Sequence, residues 1–277
     1  MEKEKLSFGE VIKTIRKQRK MTQKMLSQNI CSQSVLSRIE NDGEIPNVLV
    51  MAQLCQRMGV TIDQVMSMHS TEVQHLHELL EQMAYCFFHK DYDKLQHLLE
   101  KPNLLNHLYL DTDLQLYYYY LGSCRFFKDQ DHELALEDLK QGLAYTFRLE
   151  KANVSATEIQ LISCIGRVYE ELGQEQTARE NLAYSLQLFY ELPPERMSNM
   201  AAKVFYNYAH FLHNQGEYSQ GLKIAKEGIE VARKQKSYYY LDELFLLAGL
   251  IYEKLGNDGE AKKYFEASGD VHYIRSI

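Results

Sequence analysis

Four stretches in the second part of the chain repeat one spacing of small and large residues, and this constrains the fold more than any other feature. In "SCIGRVYEELGQEQTARENLAYSLQLF", Gly166 is followed at +3 by Tyr169, at +12 by Ala178 and at +16 by Leu182. The same offsets fall on Ala209, Leu212, Gly221 and Ala225, on Gly249, Tyr252, Ala261 and Phe265, and on Ser123, Phe126, Ala135 and Leu139. Small residues at the first and third offsets let two antiparallel helices approach closely, and the larger ones fill the space between them. Successive units lie 43, 43 and 40 residues apart. A weaker helical pair, "ELLEQMAYCFFHKDYDKLQHLLEK", stands in front of them. One such pair cannot bury its apolar face alone, so the pairs are expected to stack into an all-α array.

Charge separates this array from what precedes it. The chain carries −7 overall, yet Met1 to Met66 hold ten Lys/Arg against seven Asp/Glu, leaving the remainder at −10. Within the basic part, "KTIRKQRK" (Lys13 to Lys20) puts five cations into eight residues. Such a run is commonly a solvated helix face, and only in company with a recognition motif does it argue for nucleic acid.

That motif lies in the same part. Ser7 with Glu10 forms a capping box, after which Phe8, Val11, Ile12 and Ile15 recur at helical spacing. Thr22 can cap a second helix carrying Met25, Leu26 and Ile30. Ser32 can cap a third, with Leu36 and Ile39 turned inward and Asp42-Gly43 ending it. Two more follow, in "NVLVMAQLCQRM" with Val48, Met51, Leu54 and Met58, and in "TIDQVMSM" with Ile62, Val65 and Met66. The second and third lie a short turn apart, the spacing of a helix-turn-helix, whose second member enters the DNA major groove by its N-terminal end. Gln33, Ser34 and Val35 are then expected at base edges, with Ser37 and Arg38 in reach of bases or phosphate. Thr22, Gln23, Lys24 and Ser32 complete the candidate DNA-contacting set. Glutamine suits adenine, and valine a thymine methyl. Cys31, in the turn, reads as a small half-buried filler.

Elsewhere the sequence excludes more than it offers. It contains no G-x-G-x-x-G, Walker lysine loop, H-E-x-x-H or G-x-S-x-G, so no enzyme and no cofactor are expected. His75 and His77 are the closest histidine pair, but an i, i+2 spacing on a helix points the rings apart, and no metal site is expected. Cys31, Cys55, Cys86, Cys124 and Cys164 are scattered, without a C-x-x-C pair, which favours reduced thiols in the cytoplasm. "MEKEKLSFGE" has no apolar leader region, and no window approaches eighteen apolar residues.

"TQKMLSQNICSQSVLSRIENDGEIP" resembles the lambda/434-repressor (Cro/C1-type) helix-turn-helix family, over about Phe8 to Met66. The resemblance implies a buried ion pair between Arg16 and Glu40. One residue, Asp42, is extra relative to that pattern, so a different path is expected for the loop after it. The repeats resemble tetratricopeptide repeats, in a degenerate, extended form. The implied domains are a helix-turn-helix head over residues 1–67, a linker helix over 68–80, and a right-handed array of five tetratricopeptide units over 81–277.

A right-handed stack of such pairs makes a concave groove lined by the first helix of each. Periodicity places there Tyr117 and Tyr120; Gln160, Ser163 and Arg167; Lys203, Asn207 and His210; Glu243 and Leu247. Amides, tyrosines and cations suit an extended peptide, whose unpaired backbone needs donors and acceptors. In the run Tyr117 to Tyr120, four consecutive residues point all round one helix, so at least two belong to packing. Head and repeats together resemble the peptide-pheromone-responsive regulators of Gram-positive bacteria (the Rap, Rgg, NprR, PlcR and PrgX superfamily), with "LSQNICSQSVLSRIE" and "KVFYNYAHFL" nearest the PlcR branch. The resemblance implies a cytoplasmic homodimer on a palindromic operator, activating promoters when a short signalling peptide fills the groove. It implies that Asn207 holds the peptide backbone, while the asparagine of the preceding repeat is replaced by Ser163. Lys203 and Arg167 would then read carboxylates. Two alternatives stand beside this: Asn207 could tie one repeat to the next, and the repeats could bind a protein partner instead of a peptide.

Overall fold

A computed structural model describes residues 7–69, 71–102, 104–148, 153–193, 195 and 198–276, with side chains at 67–69, 71–74, 275 and 276 left aside. The expectations that fall on residues 1–6, 70 and 277 lie outside this set. Every regular element among the described residues is helical, and the chain divides into two compact units, Met1–Gln82 and Met83–Ile277.

In the first unit five helices close on one small core. Ser7 caps α1 (Phe8–Gln18) by the expected capping box, with Glu10 Oε2 accepting from the Ser7 N–H at 2.8 Å. Thr22 caps α2 (Gln23–Ser27), Ser32 caps α3 (Gln33–Glu40), Asn47 caps α4 (Val48–Met58), and Thr61 with Gln64 opens α5 (Ile62–His69). Each cap satisfies an amide that the helix itself leaves orphaned. Val11, Ile12, Ile15, Leu26, Leu36, Ile39, Met51, Leu54, Met58 and Val65 are buried together, as the helical spacing requires. Four residues expected on apolar faces are not in that core. Met25, Val48, Ile62 and Met66 are exposed, because α2 is too short to turn more than Leu26 inward and Val48 and Ile62 stand at first helical positions. The approach of α1 to α3 is close enough that a Cβ on Gly9 would lie 2.2 Å from the Ile39 carbonyl oxygen. Asp42, the extra residue, takes a left-handed φ of 55° and turns its carboxylate back to accept from the Gly9 N–H at 2.7 Å. The insertion therefore places a negative charge at the N-terminus of α1, where the helix dipole favours it.

The second unit is built from helical pairs. It opens with the last turns of α6 (Thr71–Phe88), which begins in the first unit, followed by α7 (Tyr92–Leu99) as a first, weaker pair; α8 (Asp111–Cys124) then packs on α9 (His132–Thr146), α10 (Ala156–Glu171) on α11 (Glu175–Glu191), α12 (Ala202–Asn214) on α13 (Tyr218–Lys234), and α14 (Leu241–Lys254) on α15 (Asp258–Ser276). The stretch read as a linker helix and the first helix of the array form one element, since α6 runs unbroken from Thr71 to Phe88. Leu104–His107 form a 3₁₀ turn between the first two pairs. The small-residue offsets mark real contacts: a Cβ on Gly166 would sit 2.7 Å from Leu182 Cγ, and one on Gly249 2.5 Å from the Phe265 ring.

The second pair departs from the expected register. Its close contact is made by Gly122, not Ser123, with a Cβ there 2.8 Å from Leu139 Cγ. Gly122 and Leu139 are seventeen residues apart where Gly166 and Leu182 are sixteen. The extra residue is absorbed by a π-turn at Arg125–Asp129 closing α8, which takes one more residue than an α-turn. Relative to the turn, marked by left-handed Gln130 where the later pairs have Gly173, Gly216 and Gly256, Ser123 keeps the expected place.

Candidate functional site

Two constellations carry chemistry, one in each unit. On the head, Ser32 accepts from the Val35 N–H at 3.2 Å and shares a 2.8 Å hydrogen bond with Ser34 Oγ, so the start of α3 is fixed and its side chains project outward. Gln33, Ser34 and Arg38 are exposed and Ser37 half-exposed, whereas Val35 packs against the core. Arg38 Nε donates to Glu44 Oε2 at 2.8 Å, an exposed contact that an anionic partner can replace. Thr22 is occupied as a cap, accepting from the Met25 N–H at 3.1 Å; Lys24 is exposed. Gln23 is drawn inward, its Nε2 donating to Glu40 Oε2 at 2.9 Å.

Glu40 is the anchor that orients α3. Arg16 Nε and Nη2 donate to its two oxygens at 2.5 and 2.8 Å, and Arg16 Nη1 donates to the Met21 carbonyl at 2.8 Å. The two side chains are 10% and 0% exposed. Burial pushes the Glu40 carboxyl up, but hydrogen bonds from Arg16 and Gln23 and the charges of Arg16 and Lys13 outweigh it and hold the group below the usual glutamate value. The same hydrogen bond to Glu40 raises Arg16. Arg57, which the sequence reading passed over, holds the end of α2 by donating to the carbonyls of Leu26, at 3.2 Å, and Gln28. Its signal was available: basic residues commonly serve the orphan carbonyls at helix ends.

In the second unit the residues expected to face a groove come together instead in a filled interior. Tyr120, Gln160, Ser163, Lys203, Asn207 and Leu247 are buried. Tyr119 OH donates to Gln160 Oε1 at 3.0 Å and accepts from Lys203 Nζ at 3.4 Å. Burial first, then the neighbouring Cys164 and Tyr239, push the Tyr119 hydroxyl well above its ordinary value, so it stays a donor. Asn207 Nδ2 donates to Ser163 Oγ at 3.0 Å, joining α12 to α10. Arg167 pairs with Glu170 and, at 3.2 Å, with Glu171, and its Nη1 lies 2.6 Å from His210 Nδ1. Glu243 pairs with Lys90, whose Nζ also lies 4.0 Å from the centre of the Tyr240 ring. Tyr117 is half-buried, edge-on to Tyr118.

The sequence reading missed the residues that close this interior. Phe87, Phe88, Lys90, Tyr119, Phe127, Tyr239 and Tyr240 bring the first, second and fifth pairs together, with Phe88 stacked on Tyr239 at 5.1 Å. One clue was legible: Lys90 stands in the turn where later pairs carry glycine, and holds a left-handed φ of 59° with a bulky side chain. A non-glycine residue there marks a position fixed by its surroundings.

Among the described residues no helix is long and apolar enough to cross a membrane, and no cluster of histidine, cysteine and carboxylate side chains could hold a metal ion. A helix-turn-helix family model matches residues 12–65, and a tetratricopeptide repeat model matches residues 242–268. No curated protein sequence matches the chain. Among solved structures, Bacillus thuringiensis PlcR in complex with the peptide PapR7 and DNA has the same fold, with a TM-score of 0.81 at 20% identity over 97% of this chain and 95% of that one. The apo form of the same protein gives 0.62 at 18% identity, over 97% and 95% of the two chains. ComR from S. thermophilus, in complex with DNA and its signalling peptide ComS, gives 0.67 at 16%, over 97% and 94%. The chain thus joins a helix-turn-helix head to a tetratricopeptide array in the arrangement of elements seen in those regulators.

Proposed function

We propose that this chain is a sequence-specific DNA-binding transcription regulator of the cytoplasm, switched by a short signalling oligopeptide held in the interior of its repeat unit. One observation carries the reading: over 97% of its length the chain has the fold that PlcR has with peptide and DNA bound. The head supports it independently. α3 presents Gln33, Ser34, Ser37 and Arg38 as outward donors and acceptors on a helix anchored from behind by Glu40, which is what base readout in a major groove needs. A head of this size reads only a few base pairs, so two copies are required, on a palindromic operator with half-sites roughly 34 Å or a multiple apart. Activation of transcription is the direction we assign to the bound state. No catalysis is part of this reading.

For the peptide, the interior offers amide, hydroxyl and cationic groups on α10 and α12. Asn207 spends its N–H on Ser163 here; on this reading a peptide backbone replaces that bond, since one amide can donate and accept at once.

The test is selection from a random duplex library with the full chain, followed by titration of the selected duplex against a library of short free peptides. Enrichment of a palindrome and a peptide that alters its affinity are expected. A duplex pool that stays random, or repeats that capture only folded proteins, refutes the reading. Asn207→Ala separates ligand contact from scaffold: lost peptide binding at an unchanged melting temperature supports it, whereas a destabilised protein that binds peptide at full affinity contradicts it.

A further inference from the structure

Lys203 stands on α12 with 1% of its surface exposed, and among the described residues no carboxylate lies in ion-pair distance of it. Its Nζ donates to Tyr119 OH at 3.4 Å, a hydroxyl that itself donates to Gln160. Around it stand the rings of Phe87, Tyr119, Phe127 and Tyr240, with centres 5.0, 5.3, 5.4 and 5.9 Å away. Aromatic faces offset part of the cost of removing an ammonium from water, but they do not accept its three directed N–H bonds. A buried cation without a counter-ion is expensive, and an apolar side chain would fill the same space at no such cost. The energetics call for an anion that the neighbouring side chains do not supply.

Lys203, Ser123 and Asn207 line one small cleft between α8, α10 and α12, with room for about one water molecule. In so small a space the lining groups converge on one point. The Ser123 hydroxyl, 2% exposed, finds no hydrogen-bond partner among the protein's own groups. Asn207 spends one amide hydrogen on Ser163 Oγ and has a second. Arg167 borders the cleft too, but its guanidinium is committed to Glu170 and Glu171. No acidic side chain lines it, and Phe126, Leu139 and Val168 make the remaining wall apolar. A water there would bring two more hydrogens to a site already rich in donors, and it would leave the charge of Lys203 uncompensated. A carboxylate or a phosphate has too many atoms to enter. An anion of one atom carries no hydrogens, accepts from any direction and fits.

We propose that Lys203, Ser123 and Asn207 bind a halide ion, chloride under ordinary conditions, as the counter-ion of the buried ammonium. The ion ties α8 to α12 at one point, so chloride stabilises the folded repeat unit. This site stands apart from the peptide-switched reading, since it requires neither peptide nor DNA.

Differential scanning calorimetry of the full chain in sodium gluconate, with chloride exchanged in at constant ionic strength, tests the site. The melting temperature of the repeats is expected to rise with the logarithm of chloride concentration once the site fills, because an ion bound only by the folded state stabilises it by mass action. Bromide should act as chloride does, while acetate, too large to enter, should act as gluconate does. Lys203→Met, which keeps the stem and removes the charge, should melt at a temperature that no longer responds to chloride. If Lys203→Met does not fold, Ser123→Ala, which leaves the ammonium and the rings in place, should need several-fold more chloride for the same rise. Crystals of the full chain soaked in bromide should show an anomalous peak in contact with Lys203 Nζ and Ser123 Oγ. Equal melting in chloride and acetate, a chloride response left unchanged by either substitution, or bromide-soaked crystals without a peak beside Lys203 would overturn the proposal.

Discussion

Glu40→Ala should unfold the head well before the repeats. The substitution leaves the Arg16 guanidinium with two of its three acceptors gone, in a site where the pair is 10% and 0% exposed. Removing one partner of a buried pair costs about 3–5 kcal/mol, because the remaining charge is uncompensated. A module of this size has roughly 3–9 kcal/mol of stability in all. Each kcal/mol is worth about 4–8 °C in so small a domain, so the head transition should fall by ten degrees or more. Differential scanning calorimetry of the full chain separates head from repeats. The double substitution Arg16→Met with Glu40→Leu should recover most of the loss, since it removes both charges and keeps the volume. The pH dependence has a fixed sign. The folded Glu40 carboxyl lies below its ordinary value of 4.5, so its contribution is complete above that pH and is lost as pH falls through the lowered value. A shift of one or two degrees for Glu40→Ala, or a double variant no better than the single, would refute the argument.

Gln33→Ala should relax base preference at one symmetric pair of operator positions by about 1–3 kcal/mol, whereas Lys24→Ala should weaken all duplexes alike and lower the salt slope by about one, both read by fluorescence anisotropy. Gly166→Ala should cost about 1–3 kcal/mol through overlap with Leu182. Gly173→Ala, at φ +72° with nothing within 4 Å, should cost about 1–2 kcal/mol through backbone strain, so Leu182→Ala should relieve the first and not the second in urea melts. Burial raises the Asp138 carboxyl to about 6 against the opposing charge of Arg125, so its favourable contribution is complete below 3.8 and is lost as pH rises through about 6; Asp138→Asn should flatten the melting temperature between about pH 4 and 6, and parallel curves would contradict this.

The sequence carried the local rules and missed the long-range ones. Ser7, Thr22 and Ser32 were legible as caps because a cap is settled by a few neighbouring residues. The pairing of α10 with α11 was legible because Gly166 and Leu182 meet within one repeat. The π-turn after Cys124 was not, since Ser123 fits the pattern counted from the turn while Gly122 makes the contact. The continuity of α6 was missed for a plainer reason: a linker helix and a first repeat helix were read as two elements, although nothing near Leu80 caps or stops a helix and α6 passes through it, while the compact units divide close by, between Gln82 and Met83. The filled interior lay beyond any local signal. Lys203 is surrounded by Phe87, Tyr119, Phe127 and Tyr240, from three other helical pairs, and only the curvature of the array brings them together.

On the proposed function a ligand in the repeat interior is coupled to DNA held by the head, and coupling between two sites is reciprocal. The direct measurement is the dissociation constant of a selected peptide for the full chain with and without its selected duplex, beside that of the duplex with and without peptide. Both constants are expected to change by the same factor, at least about fivefold. A peptide that binds equally well in the presence and absence of the duplex would contradict it.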